Sequence, residues 1–424
     1  MATAITSNPT NPTNPRRRET GNTSRADARR ALPPRPEGRG IPRKMMNVGV
    51  RRFGDGGQIA ILGAGSMGRL WAALLPSSCC GFLPRLSEDT SGLEPGRSFS
   101  RQEGLPETRC EYVLVRSASP FGTNAPASRQ RSGASRPWLA REVLRTPPNA
   151  AQGFGKAFPT ASPESVPAPT RSRISLPWFR SVTDITLLLV TTKAGDTLSA
   201  MEGWLPHIPK NTPVILFQNG LGSQQEVAER WPDRPILVAS TTEGANRPEP
   251  DVLVHAGVGD TWVGPLTDSA SDYTESVVQQ LAQSGLRVHA ENNIVPRLWQ
   301  KLVVNAGINA FTALLDCPNG AIVEAPLYRQ TIDGLCTEIA ALLQADTGER
   351  VTPQALRERI EAVARSTASN TSSMRADVNA GRNTEIDFIN GYLVQCGQRN
   401  GIATPVNQML VQRVQTLLPF KQSD

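Results

Sequence analysis

Aromatic residues make up only 5% of the 424-residue chain, histidine occurs three times, and no long apolar run appears. A membrane-spanning helix, which needs about 18 or more consecutive apolar residues, is thereby excluded. His207, His255 and His289 lie far apart, so no metal site is expected. The six cysteines, Cys79, Cys80, Cys110, Cys317, Cys336 and Cys396, show no paired CxxC spacing for zinc. With no signal peptide they form no disulfide framework either, and a reducing intracellular compartment is expected. That places the protein in the cytoplasm, with a mitochondrial location as the alternative. Apolar residues reach 38% against 35 glycines and 35 prolines, so part of the chain is expected to bury a core and part is not.

Positive charge is in surplus, at +7, but it is unevenly placed. Residues 1–57 carry twelve basic side chains against four acidic ones, and residues 84–180 carry fourteen against eight, leaving −7 for the rest. The surplus lies in segments that read as unfolded, so no specific nucleic-acid partner is expected. Residues 1–57 open on an Asn-Pro-Thr repeat, continue through Arg16–Arg18, and read as a disordered basic tail. A transit peptide is the alternative for this Arg-rich leader. Against it, the first fifteen residues hold no Arg and the prolines would break an amphipathic helix.

Order is expected from Gln58. An apolar strand over 58–62 runs into Gly63-Ala64-Gly65-Ser66-Met67-Gly68 and then a helix from Arg69 to Leu75, the sequence of elements that dinucleotide binding requires. The glycines allow a tight turn and close approach of a pyrophosphate to a helix N-terminus. An acidic residue about 20 positions on would read a ribose hydroxyl, and an arginine there would read a 2′-phosphate. Glu88, Asp89 and Arg85 all fall in that window, and no clear second strand precedes them, so the choice stays open. Residues 84–180 then break the pattern. Thirteen Arg, thirteen Ser and thirteen Pro occupy 39 of 97 positions, and only Tyr112–Val115 and Leu139–Leu144 suggest regular elements. An irregular insertion and a mistranslated segment are the two explanations, since a structureless stretch of this length is improbable inside a compact domain.

Patterning returns with strands expected at 187–191, 213–218, 236–240, 251–255 and 261–264, and a helix at 196–204. Strands and helices in alternation mean a mostly parallel α/β sheet. The polar stretch 266–272 reads as a linker, which gives a dinucleotide-binding domain over 58–270 and a helical domain over 271–424. Helices are expected there at 273–284, 294–316, 325–347, 352–368, 372–380, 384–399 and 405–418.

Two constellations in the helical part can carry chemistry. Lys301, Asn305 and Asn309 follow i, i+4, i+8 and project from one face of an apolar helix. A lysine there is costly unless a partner or ligand meets it, although a solvated stripe reads equally well. Asn370 to Tyr392 contains Ser373 and Glu385, with Glu385 in the first turn of a helix opening near Thr384. Acids in first turns also simply favour the helix dipole.

These pieces in this order resemble the ketopantoate reductase family. The shared motifs are GAGSMG at 63–68, VTTKA at 190–194, QNGLG at 218–222, TTEGANRP at 241–248 and HAGVGDTWVG at 255–264. WQKLVVNAGINAFTAL at 299–314, then NTSSM, GRNTEIDFINGYLV and GIATPVN up to residue 407, complete the set. The resemblance implies an N-terminal α/β Rossmann domain that binds NADPH and an all-α C-terminal domain, in a 6-phosphogluconate-dehydrogenase-like arrangement. It implies reduction of 2-dehydropantoate, a small 2-keto acid, to (R)-pantoate in pantothenate biosynthesis. Another branched 2-keto acid, or a non-catalytic NADP-binding paralogue, is the alternative. By resemblance, Lys301 is the general acid and Glu385 anchors the substrate hydroxyl beside it. Asn305, Asn309 and Ser373 hold substrate polar groups, Asn219 sits where nicotinamide and substrate meet, and Lys193 helps bind a cofactor phosphate with residues 63–68. A homodimer and no membrane are the remaining expectations. The chain departs from the family where a second strand should end in a phosphate-reading arginine, since Pro76 to Arg85 shows no clear strand.

Overall fold

The computed structural model of the protein describes residues 57–84, 109–116, 169–179 and 182–417. The expected tail over 1–57, apart from Gly57, lies outside the described residues. So do Arg85, Glu88, Asp89 and the Leu139–Leu144 element.

Strand β1 (Gln58–Leu62) and helix α1 (Ser66–Leu74) form where the apolar run and the glycine turn place them. The second strand missing from the sequence reading is present. β2 (Cys80–Leu83) runs parallel to β1, pairing Ile59 with Cys80 through Leu62 with Leu83. At four residues, all of them buried, it is too short to show periodicity. Among the described residues its outer edge is met by a bridge from Phe82 to Trp178.

The Arg/Ser/Pro-rich segment is likewise not wholly irregular. β3 (Arg109–Arg116) and β4 (Thr170–Pro177) pair antiparallel over their full length. β3 also pairs in parallel with the later strand β9 (Val252–Gly257). Tyr112 and Leu114 alternate inward with solvent-facing neighbours, the period of a half-buried strand.

The chain continues through β5 (Ile185–Val190), α2 (Ala194–Trp204), β6 (Val214–Leu216), α3 (Ser223–Arg230) and β7 (Ile236–Thr241). Next come β8 (Gly244–Glu249), β9 (Val252–Gly257), β10 (Asp260–Pro265), α4 (Thr274–Ala282) and β11 (Arg287–Ala290). One sheet has the order β11-β10-β7-β6-β5-β1-β2, parallel except where β10 meets β7, and a second has the order β4-β3-β9-β8. β5, β6 and β7 read as continuous apolar runs because both faces of a parallel sheet are covered. The sheet does not end at the polar stretch 266–272. α4 and β11 follow it, and β11 pairs with β10, so the α/β architecture runs to Ala290. With three of its four residues exposed and only Val288 half-buried, β11 carries no apolar signal.

From there the chain is helical: α5 (Val295–Leu315), α6 (Pro326–Thr347), α7 (Pro353–Ser366), α8 (Ser373–Asn379), α9 (Asn390–Asn400) and α10 (Pro405–Gln415). One continuous apolar cluster joins a face of the large sheet (Leu188, Val190, Leu216, Val238) to the helices (Trp299, Phe311, Tyr328, Leu393). The other sheet face packs with α1 and the small sheet in a second cluster around Trp71, Phe82 and Leu253. No described helix is long and apolar enough to cross a membrane.

Candidate active site

Strand order reverses between β1 and β5, the position at which open α/β sheets bind ligands beyond the carboxyl ends of their strands. The three glycines of the turn differ there. Gly63 has φ +108°, and a Cβ on it would stand 2.7 Å from the Thr192 nitrogen. A Cβ on Gly68 would stand 2.0 Å from the Gly63 carbonyl oxygen, so α1 can lie against the turn only without a side chain there. A Cβ on Gly65 would meet nothing within 4 Å. Two glycines are needed by the fold, and the middle one keeps a surface open. Ala64, Ser66 and Met67 complete the turn, and Gly65 caps α1 with no side-chain hydrogen bond and no acid in the first turn. Free N–H groups at such a terminus suit a pyrophosphate. Thr191 Oγ1 donates to the Gly63 carbonyl at 2.7 Å and fixes the turn to β5.

Two further loops leave the same edge. Lys193 caps α2, with its Nζ 2.7 Å from an Asp377 carboxylate oxygen and donating to the Asn383 carbonyl at 2.6 Å. Its amine, expected on a cofactor phosphate, is therefore engaged with the helical part. After β6, Gln218 donates to the carbonyls of Val190 and Thr192, tying the ends of β5 and β6 together and presenting Asn219. Gly220, at φ +79°, approaches Phe388 so closely that a Cβ would lie 2.0 Å from its carbonyl oxygen. Leu221 N–H donates to that same oxygen at 2.8 Å.

The helical side supplies the side chains. Lys301, Asn305 and Asn309 all lie within α5, as their spacing implies. Lys301 Nζ donates at 2.9 Å to the carbonyl of Thr241, the last residue of β7. Burial pulls its pKa down to about 8, with Glu385 acting in the opposite direction. Loss of water is the larger effect, and the Glu385 carboxylate partly offsets it. The Asn305 and Asn309 side chains have no hydrogen-bond partner among the described residues, although Asn309 is buried. Neither amide has a polar atom sealed from solvent without a partner, so both stay open to a polar ligand.

Glu385 departs from the helix-start reading. It precedes a 3-10 turn over Ile386–Phe388, and α9 begins only at Asn390. The interruption leaves the Phe388 carbonyl free to accept from Leu221 across the cleft. One Glu385 oxygen accepts from the Ala194 N–H at 3.1 Å and the other from Asn219 Nδ2 at 3.3 Å. Burial raises its pKa, opposed first by the Ala194 and Asn219 hydrogen bonds and then by Lys193. Glu385 is therefore no dipole ornament. It bridges the N-terminus of α2 to the loop after β6. The neighbouring serines divide their roles: Ser372 is buried, accepts from the Arg375 N–H and meets Thr312, whereas Ser373 is exposed at the start of α8.

The structure thus brings Lys301, Glu385, Asn219 and Lys193 to one cleft edge, each tied to the opposite half. Thr241 and Ala194 contribute through their backbones, which no side-chain pattern reveals. Asp377 joins through Lys193 and Arg382. The GIATPVN motif proves structural: Glu338, buried on α6, accepts from the N–H groups of Val406 and Asn407 and from the Asn407 side chain. Among the described residues no group of His, Cys, Asp and Glu is arranged to hold a metal.

The C-terminal model of ketopantoate reductase PanE/ApbA matches residues 293–417, and the ketopantoate reductase PanE/ApbA model matches residues 149–268. The 2-dehydropantoate 2-reductase of Vibrio cholerae is 39% identical over 235 residues, covering 54% of this chain and 77% of that protein. The Halobacterium salinarum enzyme of the same name is 36% identical over 233 residues, covering 55% and 76%. The crystal structure of 2-dehydropantoate 2-reductase from Geobacter metallireducens shares the fold, with TM-score 0.58 and 22% identity over 85% of this chain and 99% of that one. With 77% of a 39%-identical relative covered, and both family models matched in chain order, the chain belongs to the ketopantoate reductase family.

Proposed function

We propose that the protein reduces 2-dehydropantoate to (R)-pantoate with NADPH, through an α/β domain that ends near residue 290 and a helical domain that follows. The carrying observation is the Lys301 amine, drawn out of water and held at the carboxyl end of β7 at the lip of the cleft. The dinucleotide reading is supported by the Gly65 surface, open beside an uncapped helix N-terminus, between two glycines that the fold itself demands. When bound there, the nicotinamide supplies a hydride.

Reduction of the keto group at C2 builds negative charge on its oxygen. Lys301 answers that charge with an ammonium and then delivers a proton to the oxygen, completing the alcohol. One of its three N–H bonds is spent on Thr241, which fixes the amine and leaves two for substrate. A pKa of about 8 leaves the amine charged at neutral pH yet able to release its proton. Glu385, held by Ala194 and Asn219, offers carboxylate lone pairs for a substrate hydroxyl. Asn305 and Asn309 offer unspent amides and Ser373 an exposed hydroxyl. Lys193 supports the cofactor side less directly, because Asp377 and Asn383 already occupy its amine.

A homodimer is proposed as well, on the thinner ground that a ketopantoate reductase from Staphylococcus aureus described as dimeric shares this fold at TM-score 0.58 and 17% identity. Purified protein should oxidise NADPH when 2-dehydropantoate is added. Turnover with other branched 2-keto acids, and none with this one, would reassign the substrate. NADPH binding without turnover on any of them would make the chain a non-catalytic paralogue.

A further inference from the structure

Two arginines beside the glycine turn have no assigned work. Arg69, the first residue after Gly68, donates from Nε to the Ala64 carbonyl at 3.1 Å and from Nη1 to the Pro250 carbonyl at 2.8 Å. Its guanidinium lies 5.1 Å from the centre of the Tyr112 ring, and Tyr112 in turn donates to the Arg69 carbonyl. Arg247, on β8, donates from Nη2 to the same Pro250 oxygen at 3.0 Å. Two cations are thus gathered on one neutral acceptor. Among the described residues neither forms an ion pair, and their remaining N–H groups have no partner there.

Like charges held together in this way repel each other, and an anion between them would relieve the repulsion. Arg247, although exposed at its outer side, is held below the usual arginine range by partial loss of water first, then by Arg69 and Arg382, with Asp251 and Cys110 only partly offsetting them. The position matters as much as the charge. Arg69 touches Ala64, so the pair borders the turn whose N–H groups suit a pyrophosphate.

We propose that Arg69 and Arg247 form an anion subsite flanking the Gly63–Gly68 turn and take a phosphate group of the dinucleotide bound there. This rests on the cofactor reading given above. It assigns to the β8–β9 hairpin, outside the large sheet, a part in holding the cofactor. It also supplies a cationic phosphate contact within the described residues.

Arg247 is the residue to change, because it is exposed and does not brace the turn as Arg69 does. Fluorescence titrations with NADPH and with NADH should be run on the parent protein, Arg247→Ala and Arg247→Lys, with Tm measured without cofactor. Loss of one or two charge-assisted hydrogen bonds should weaken NADPH about tenfold or more in Arg247→Ala at unchanged Tm, with partial recovery in Arg247→Lys. Weaker binding of NADPH alone would assign the 2′-phosphate, and equal weakening of both cofactors the pyrophosphate. Affinities within about twofold of the parent for both cofactors would overturn the subsite and leave the cofactor reading standing. A parent that binds neither cofactor would remove that reading and the subsite with it.

Discussion

The two walls of the cleft are built from different materials. On the α/β side the working surface is mostly backbone: the glycine turn, the Ala194 N–H and the Thr241 carbonyl. On the helical side it is side chains: Lys301, Asn305, Asn309 and Glu385. A backbone surface depends on the sheet beneath it and tolerates little intrusion. A side-chain surface can lose its chemistry while its helix stays folded. Each wall therefore fails in its own way when altered.

The largest effect is expected on the helical wall. Lys301→Ala should lower kcat by about 10²–10⁴-fold while NADPH affinity stays within about twofold of the parent. Unchanged turnover would remove Lys301 from its role. Next come the glycines. Gly68→Ala forces a Cβ against the Gly63 carbonyl and should lower Tm and cofactor affinity together, whereas Gly65→Ala should leave Tm intact and lower affinity alone. If both variants behaved alike, the distinction between a fold glycine and a ligand glycine would be lost.

A smaller effect follows from pH. Above about 8 the Lys301 amine loses its proton, so kcat/KM should fall about tenfold per unit as pH rises further. Stability moves the other way. The folded pKa lies below that of the unfolded chain, so the unfolded state binds more protons between about 8 and the ordinary lysine range, and stability rises across that window. Lys301→Met should abolish this slope, which thermal melts between pH 7 and 10 can measure. Smallest is Ser372→Ala, which removes the cap of α8 and should cost about 1 kcal/mol in unfolding titrations with little direct effect on NADPH affinity.

How far the sequence speaks follows the same division. The α5 stripe was legible because helical spacing puts Lys301, Asn305 and Asn309 on one face whatever surrounds them. The turn at 63–68 was legible because glycine is required where backbone crowds backbone. β2 was not, since four buried residues carry no period, and β11 was not, since three of its four residues are exposed and give no apolar run. Of the Arg/Ser/Pro-rich segment the middle of β3 was legible, at Tyr112–Val115, whereas its partner β4 was not, since Thr170 to Arg173 are exposed and polar. Glu385 was found, but its partners were not. Nothing in TEID indicates that a helix will be delayed so that Phe388 can offer its carbonyl to Leu221.

That last bond has an evolutionary corollary. Gly220 and Phe388 fit each other as a wedge fits its slot, with the residues that hold Glu385 on either side. A chimaera that takes its catalytic helices from a relative should function only if the loop at 218–222 and the turn at 384–388 travel together. The unit of inheritance in this enzyme is then not the domain but the seam.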